Sequence, residues 1–191
     1  MMSMPTLTDH AHEHRVSRAE FEAFREGRHD HARYELLDGE ILVTPSPSVL
    51  HQHVVRRLMA LLESIPLSDM AILTAPLDLD LDVPGTGTLL QPDLFVAPFS
   101  PGEIALSGPP LLIVEVLSAS TWRRDLGIKR DAYAAAGVEH YWVMAPNTPS
   151  ITVYRLGPDG AYREEAHVVG QDRWTAITPV EITLCPADLV R

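Results

Sequence analysis

The stretch "LLIVEVLS" (residues 111–118) decides the fold. It is an almost continuous apolar run, too short for a helix of ordinary length and typical of a central strand buried on both faces. One residue does not belong. Glu115 sits among Leu112, Ile113, Val114 and Val116, which leave it no polar face to share. Carboxylates are almost never fully buried unless paired or bound to a metal. An edge strand would let Glu115 face water, but its neighbours argue instead for a strand that opens into a pocket.

C-terminal to this strand, "RRDLGIKRDAY" (123–133) holds the single lysine, Lys129, among 15 basic residues. On a helical wheel Leu126, Ala132, Tyr133 and Ala136 share one face with Lys129 in its middle, and Gly137 ends the helix. A charge on an apolar face needs a partner or a task. Asp125, one helical turn earlier, offers an ion pair in the favourable order. "EHYWVMAP" (139–146) and "SITVYRL" (150–156) read as strands, the first beside the central one. One further short strand is expected within residues 162–191.

N-terminal to it, "LLQPDLFVAP" (89–98) reads as one strand carrying Asp93 just after a proline. "MAILTAPLDLDLDV" (70–83) reads as another, alternating strictly from Leu77 to Val83. Its Asp78, Asp80 and Asp82 form, most simply, a solvated face, with Asp82 also a candidate to lie near a pocket. "FSPGEIALSGPP" (99–110) reads as a loop. "RYELLDGEILVTP" (33–45) is a hairpin turning at Asp38-Gly39. After the break at "PSPS", "VLHQHVVRRLMALLES" (49–64) is an amphipathic helix with His51 at its start. "SRAEFEAFREG" (17–27) is a short helix with a Ser17/Glu20 capping box and Gly27 as its stop. The order predicts a mixed α/β sheet flanked by helices, with an N-terminal helix and hairpin. Residues 1–15 are expected to be a flexible tail and 16–191 a single domain. His10, His12 and His14 alternate in that tail, where nothing would fix metal geometry.

Composition narrows the function. With 46% hydrophobic and 21% charged residues the chain is of globular type. No apolar run is long enough to span a bilayer, and a membrane role is not expected. One cysteine, Cys185, allows no internal disulfide, suits the cytoplasm, and reads as a small buried hydrophobe. The net charge of −11 argues against a protein that grips nucleic acid mainly through phosphates. A nucleic-acid reading must rest on a local site, which Arg56, Arg57, Arg123 and Arg124 could surround in a dimer.

Asp93 and Glu115, placed on neighbouring strands, would repel each other unless a cation lay between them. Mg²⁺ suits such a pair because it takes one or two protein carboxylates and keeps several waters. Its open positions accept a phosphate oxygen and an attacking water. A nearby ammonium would orient that water or offset charge on the phosphate. Lysine serves better than arginine where a compact, deprotonatable charge is wanted.

Pro92-Asp93 followed by Glu115-Val116-Leu117 resembles the PD-(D/E)xK nuclease signature. More closely, "YELLDGE", the helix with His51, "QPDLFV", "IVEVLSAST", "RDLGIKRDAYAAAGVEHYW" and "ITVYR" resemble a large bacterial family of that superfamily, of restriction-endonuclease type, over about residues 30–156. The usual lysine position, two after the glutamate, is Leu117 here. The resemblance implies that Lys129 supplies it from the following helix. It also implies a restriction-endonuclease-like fold and a Mg²⁺ or Mn²⁺ site at Asp93 and Glu115, with the Val116 carbonyl as a further ligand. Glu35 and Glu40 match acidic positions of the family. Glu35 is a candidate to reach the metal, whereas Glu40 reads equally as a solvated strand residue. His51 is either a site residue or a plain helix start. Tyr133 and Trp142 read as core aromatics. The leading expectation is therefore a metal-dependent phosphodiester hydrolase acting on DNA, homodimeric and without an organic cofactor. The alternative is a non-catalytic dimeric binding or regulatory module on the same fold. For the dimer of either reading, the "HYWVM" region and the hairpin are the candidate contacts.

Overall fold

Two segments that read as single strands each break at a proline, and the breaks divide the chain between two sheets. The computed structural model describes residues 15–30, 32–67, 69–81, 87–99, 101–102 and 105–191. In chain order the elements begin with α1 (Arg18–Glu26), β1 (Arg33–Leu37), β2 (Glu40–Thr44) and α2 (Val49–Glu63). Then come β3 (Met70–Thr74), β4 (Asp78–Asp80), β5 (Leu89–Leu90), β6 (Leu94–Pro98), β7 (Ala105–Ser107) and β8 (Leu112–Val116). The rest are α3 (Trp122–Asp125), α4 (Ile128–Ala135), β9 (His140–Ala145), β10 (Ser150–Leu156), β11 (Tyr162–Val169), β12 (Trp174–Ala176), β13 (Ile182–Leu184) and α5 (Pro186–Leu189).

One sheet has the order β2-β1-β5-β4-β7 and the other β11-β10-β9-β8-β6-β3, with β12 and β13 paired separately. The chain leaves the second sheet after β3, at Ala75-Pro76, and re-enters it at Gln91-Pro92-Asp93, between β5 and β6. Proline lacks the donor a ladder needs and restricts the residue before it, so both expected long strands are cut there. Three further expectations change. The loop 99–110 contains β7, which runs parallel to β4. The lysine helix is two short helices, because Gly127 takes a non-helical conformation (φ −119, ψ −106). Residues 162–191 hold three strands and a short helix rather than one strand.

The central strand lies where its apolar run placed it, with β8 antiparallel to β6 and parallel to β9. Its period of two sorts the core. Leu112, Val114 and Val116 pack with Val54, Leu58 and Leu62 of α2 and with Trp142, Ile151 and Leu184. Ile113, on the other face, packs with Phe95, Tyr133, Tyr141 and the first sheet's Leu37, Leu79 and Leu90. Phe21 of α1 covers the first sheet's outer face at Tyr34, Leu36 and Leu89. Full burial of each such side chain contributes roughly 1.5–3 kcal/mol. Glu115 shares the Ile113 face and therefore points between the two sheets.

Local signals hold at both N-terminal elements. Ser17 Oγ accepts from Glu20 N at 3.3 Å while Ser17 N donates to Glu20 Oε2 at 2.8 Å. Asp38 (φ 50) and Gly39 (φ 79) both take the positive φ that a tight hairpin turn requires. Asp78 and Asp80 depart from the solvated face expected of them. Arg25 Nη1 grips both Asp78 oxygens at 2.8 and 2.9 Å, and Arg18 Nη1 lies 3.0 Å from Asp80 Oδ2. These pairs clamp α1 onto β4. Cys185 is buried, as expected. His10, His12, His14 and Asp82, with the remainder of residues 1–14, lie outside the described residues. Among those described, no helix is long and apolar enough to cross a membrane.

Candidate active site

Along β1 the alternation sends Tyr34 and Leu36 toward α1, and Arg33, Glu35 and Leu37 toward the second sheet. Glu115 of β8 faces the same space. Asp93 stands in the break that joins the sheets, His51 enters from the first turn of α2, and Lys129 and Tyr133 come from one face of α4. Five residues singled out from the sequence thus meet: Glu35, His51, Asp93, Glu115 and Lys129.

The contacts fall into two linked groups. Around Asp93, Arg33 Nη1 donates to Oδ1 at 2.9 Å, His51 Nε2 lies 3.0 Å from Oδ2, and Val116 N donates to Oδ2 at 2.9 Å. Around Glu115, Lys129 Nζ and Tyr133 OH donate to Oε1 at 2.9 and 2.7 Å. The groups join where Asp93 N donates to Glu115 Oε2 at 3.3 Å. Lys129 Nζ also lies 3.0 Å from Glu35 Oε1 and 3.9 Å from Asp125 Oδ1. Gln91 N holds Glu35 Oε1 from the other side at 2.8 Å. The expected Asp125–Lys129 pair is therefore the longest of three contacts to the ammonium.

Burial opposes every charge here, and the neighbours decide which charges survive. For Asp93, burial would raise the pKa, but the hydrogen bond with His51 and the charge of Arg33 outweigh it and hold the carboxyl below its usual range. For Glu115, burial wins over the attraction of Lys129, and its pKa rises to about 8. Asp125 is raised for the same first reason. Lys129 is pushed well above the ordinary lysine value, because Glu115, Glu35 and Asp125 together outweigh its burial. Its surroundings thus favour the ammonium, against the deprotonatable charge the sequence suggested.

Four buried carboxylates, Glu35, Asp93, Glu115 and Asp125, thus face the cations of Arg33 and Lys129. The cluster is short of positive charge, and the neighbouring acids Asp93 and Asp125 add to the upward push on Glu115. Among the described residues no three His, Cys, Asp or Glu side chains converge to hold a metal ion. Two carboxylates form a poor zinc site but suit a hard cation that keeps most of its waters. The donor types suit such an ion, which would take the place of protein donors, since each oxygen of Asp93 and Glu115 already accepts from one.

A cavity of about 670 Å³ opens beside Asp93. Arg33, His51 and Gln91 line it with Asp93, as do the loops 44–48, 74–76 and 118–121, whereas Glu115, Glu35 and Lys129 lie behind its wall. Arg33 Nε, His51 Nδ1 and Gln91 Oε1 are buried in this region without a partner from the protein. The arginines on the cavity are Arg25, Arg28 and Arg33. Those expected around the site are elsewhere in the single chain. Arg56 is exposed, Arg57 and Arg124 bond the carbonyls of Asp188 and Val43, and Arg123 lies over Trp122.

Other candidates stay outside. Glu40 is exposed on β2, and Trp142 is a core residue packed edge-on against Trp174. Tyr133 is both core and site, since its hydroxyl bonds Glu115. Arg33 joins the site without a sequence signal of its own beyond standing two residues before Glu35, and so on the same strand face. The "HYWVM" stretch is β9, enclosed between β8 and β10, so it offers no free edge. The hairpin's β2 is an edge strand.

Residues 18–186 match the family Uma2, described as "Putative restriction endonuclease". The chain belongs to the Uma2 family. The Uma2 chain is also similar in structure to a protein from Anabaena variabilis titled a putative nuclease belonging to DUF820. The two share 19% identity with a TM-score of 0.69, over 92% of this chain and 97% of that one. At that identity the likeness supports the fold, a nuclease-like mixed α/β arrangement. No curated protein matches the Uma2 chain.

Proposed function

We propose that the chain is a divalent-metal-dependent phosphodiester hydrolase of nucleic acid, with DNA the expected substrate. One observation carries the reading. The Asp93 amide, just before β6, donates to Glu115 of the adjacent β8, and the Lys129 ammonium lies 2.9 Å from Glu115. Membership of a family described as restriction endonucleases supports it.

Asp93, Glu115 and the Val116 carbonyl would hold Mg²⁺ or Mn²⁺. When bound, the ion supplies Lewis acidity toward a phosphate oxygen and a water acidified for attack. The chain's own residues prepare that chemistry. Arg33 and His51 fix both oxygens of Asp93 and keep it ionised. Glu35 and Asp125 hold Lys129 as an ammonium, so it offsets negative charge building on the phosphate rather than taking a proton. Arg33 lines the cavity with donors suited to a phosphate approaching Asp93.

Titration calorimetry with Mn²⁺ tests the site without any assumption about substrate. The wild type should bind, and Asp93→Asn and Glu115→Gln should lose the heat while keeping their circular dichroism. Cleavage of DNA should then require the metal. No binding at millimolar Mn²⁺ would sink the reading.

One observation favours a second reading, a non-catalytic dimeric binding module. Glu115 and Lys129 are 1% and 2% exposed and lie behind the cavity wall. The free edge of β2 would supply the contact between copies. A dimer that binds nucleic acid and never cuts it, with metal present, would select this reading.

A further inference from the structure

The cavity beside Asp93 has a wall that hydrolysis alone does not require. Arg28 lines it, and the guanidinium carbon lies 4.2 Å from the Phe24 ring centroid and 5.1 Å from that of Tyr34. The two rings meet edge-on at 5.3 Å, and the guanidinium lies against both. Asp30 steadies the group, since its Oδ2 lies 3.7 Å from Arg28 Nη1 and accepts from Tyr34 OH at 2.6 Å. A guanidinium plane held in this way is a surface on which a nucleobase can stack.

Another part of the lining differs. Ser118 Oγ lies 3.0 Å from Ser120 Oγ and 2.9 Å from Thr121 Oγ1, a row of hydroxyls on the loop after β8. Arg33 also lines the cavity, bonded to Asp93. The cavity therefore offers a planar cation, a phosphate-binding cation and neutral polar groups around one open space of about 670 Å³.

Charge decides what form of polynucleotide enters. The chain carries −11, while the cavity is lined by three arginines and two aspartates. A duplex brings one phosphate charge for about every 1.7 Å of its axis, and a single strand about half that density. A duplex also keeps its base faces covered by neighbours, so a stacking plane gains nothing from it without unpairing. A single strand meets less repulsion and presents free faces.

We propose that this cavity binds an unpaired polynucleotide strand, with one base stacked on Arg28 and the adjoining phosphate held by Arg33 at Asp93. The proposal rests on the nucleic-acid hydrolase reading and names the form of substrate. It makes Arg28 a specificity-determining residue. Its side chain is 44% exposed, so replacing it should leave the fold intact.

The test is fluorescence anisotropy in chelator, so that no strand is cut, using labelled single-stranded DNA, single-stranded RNA and blunt duplex DNA of one sequence. Either single strand should bind at least about tenfold more tightly than the duplex, and the DNA and RNA arms show which sugar is preferred. Arg28→Ala should lose about tenfold in single-strand affinity, and Arg28→Lys should lose as much, because it keeps the charge and not the plane. A 2-aminopurine base in the strand should be quenched by the wild type and not by Arg28→Lys. Equal or tighter binding of the duplex overturns the proposal, as does full rescue by lysine. Metal-dependent cutting of duplex alone overturns it too and leaves the hydrolase reading standing. Single-strand binding lost on Arg28→Lys, with no cutting in Mg²⁺ or Mn²⁺, upholds the pocket and removes the hydrolase reading.

Discussion

Asp93, just before β6, and Glu115, on the neighbouring β8, are chemically alike and linked by one backbone hydrogen bond, yet their surroundings push their pKa values in opposite directions. Asp93 lies at the cavity, gripped by a guanidinium, an imidazole and a backbone amide, and stays ionised. Glu115 lies behind the wall among other carboxylates, and burial favours its proton. The difference teaches that burial alone does not set the charge of this site. The kind of donor reaching each carboxylate, and the other acids beside it, do.

The sharpest way to break that contrast is to remove the cation Glu115 depends on. Lys129→Met keeps the shape of the stem but leaves Glu35, Glu115 and Asp125 buried without it. Urea unfolding should show a loss of about 3–5 kcal/mol, partly recovered by adding Glu115→Gln. A loss under about 1 kcal/mol would mean that the cluster tolerates its own repulsion.

A second test uses the raised pKa of Glu115, about 8 against an ordinary 4.5. The folded form then binds a proton that the unfolded chain releases. This contribution is fully present below about pH 4.5 and is lost as pH rises through about 8. Comparing wild type with Glu115→Gln from pH 5 to 9 should show the wild type falling relative to the variant, by up to about 1.4 kcal/mol per pH unit. Parallel curves would put the proton elsewhere.

Smaller effects follow. Tyr133→Phe removes one donor to Glu115 at the cost of roughly 1–2 kcal/mol, and moves the Glu115 titration further up. Ser17→Ala, at the start of α1, should cost about 1 kcal/mol and leave that titration unchanged. It is the control for effects that act through stability alone.

Much of this was legible in the chain. The apolar run around Glu115 marked the central strand, and the wheel around Lys129 gave its inward direction, because both patterns repeat with the period of their element. Asp38-Gly39 and the Ser17/Glu20 box were readable since each is satisfied by its own neighbours. The division into two sheets was not. Alternation through Leu77–Val83 describes a strand but not which sheet it joins. Pro76 and Pro92 break a ladder without saying where the chain goes next. Asp78 and Asp80 looked solvated because their partners, Arg25 and Arg18, are far away in sequence. Arg33 needed knowledge of which face of β1 looks toward Asp93. The charge of Lys129 depends on three acids from three different segments.

Because β8 and β9 are parallel, the chain between them has to cross over, and α3 and α4 are that crossover. The crossover lies on the face to which Glu115 points, and it carries the lysine there. An ammonium beside this glutamate can thus be supplied from the strand itself or from the helix that follows, with the same outcome in space. A text pattern that fixes the interval between glutamate and lysine will pass over such chains. A search by spatial proximity, indifferent to the interval, would retrieve them.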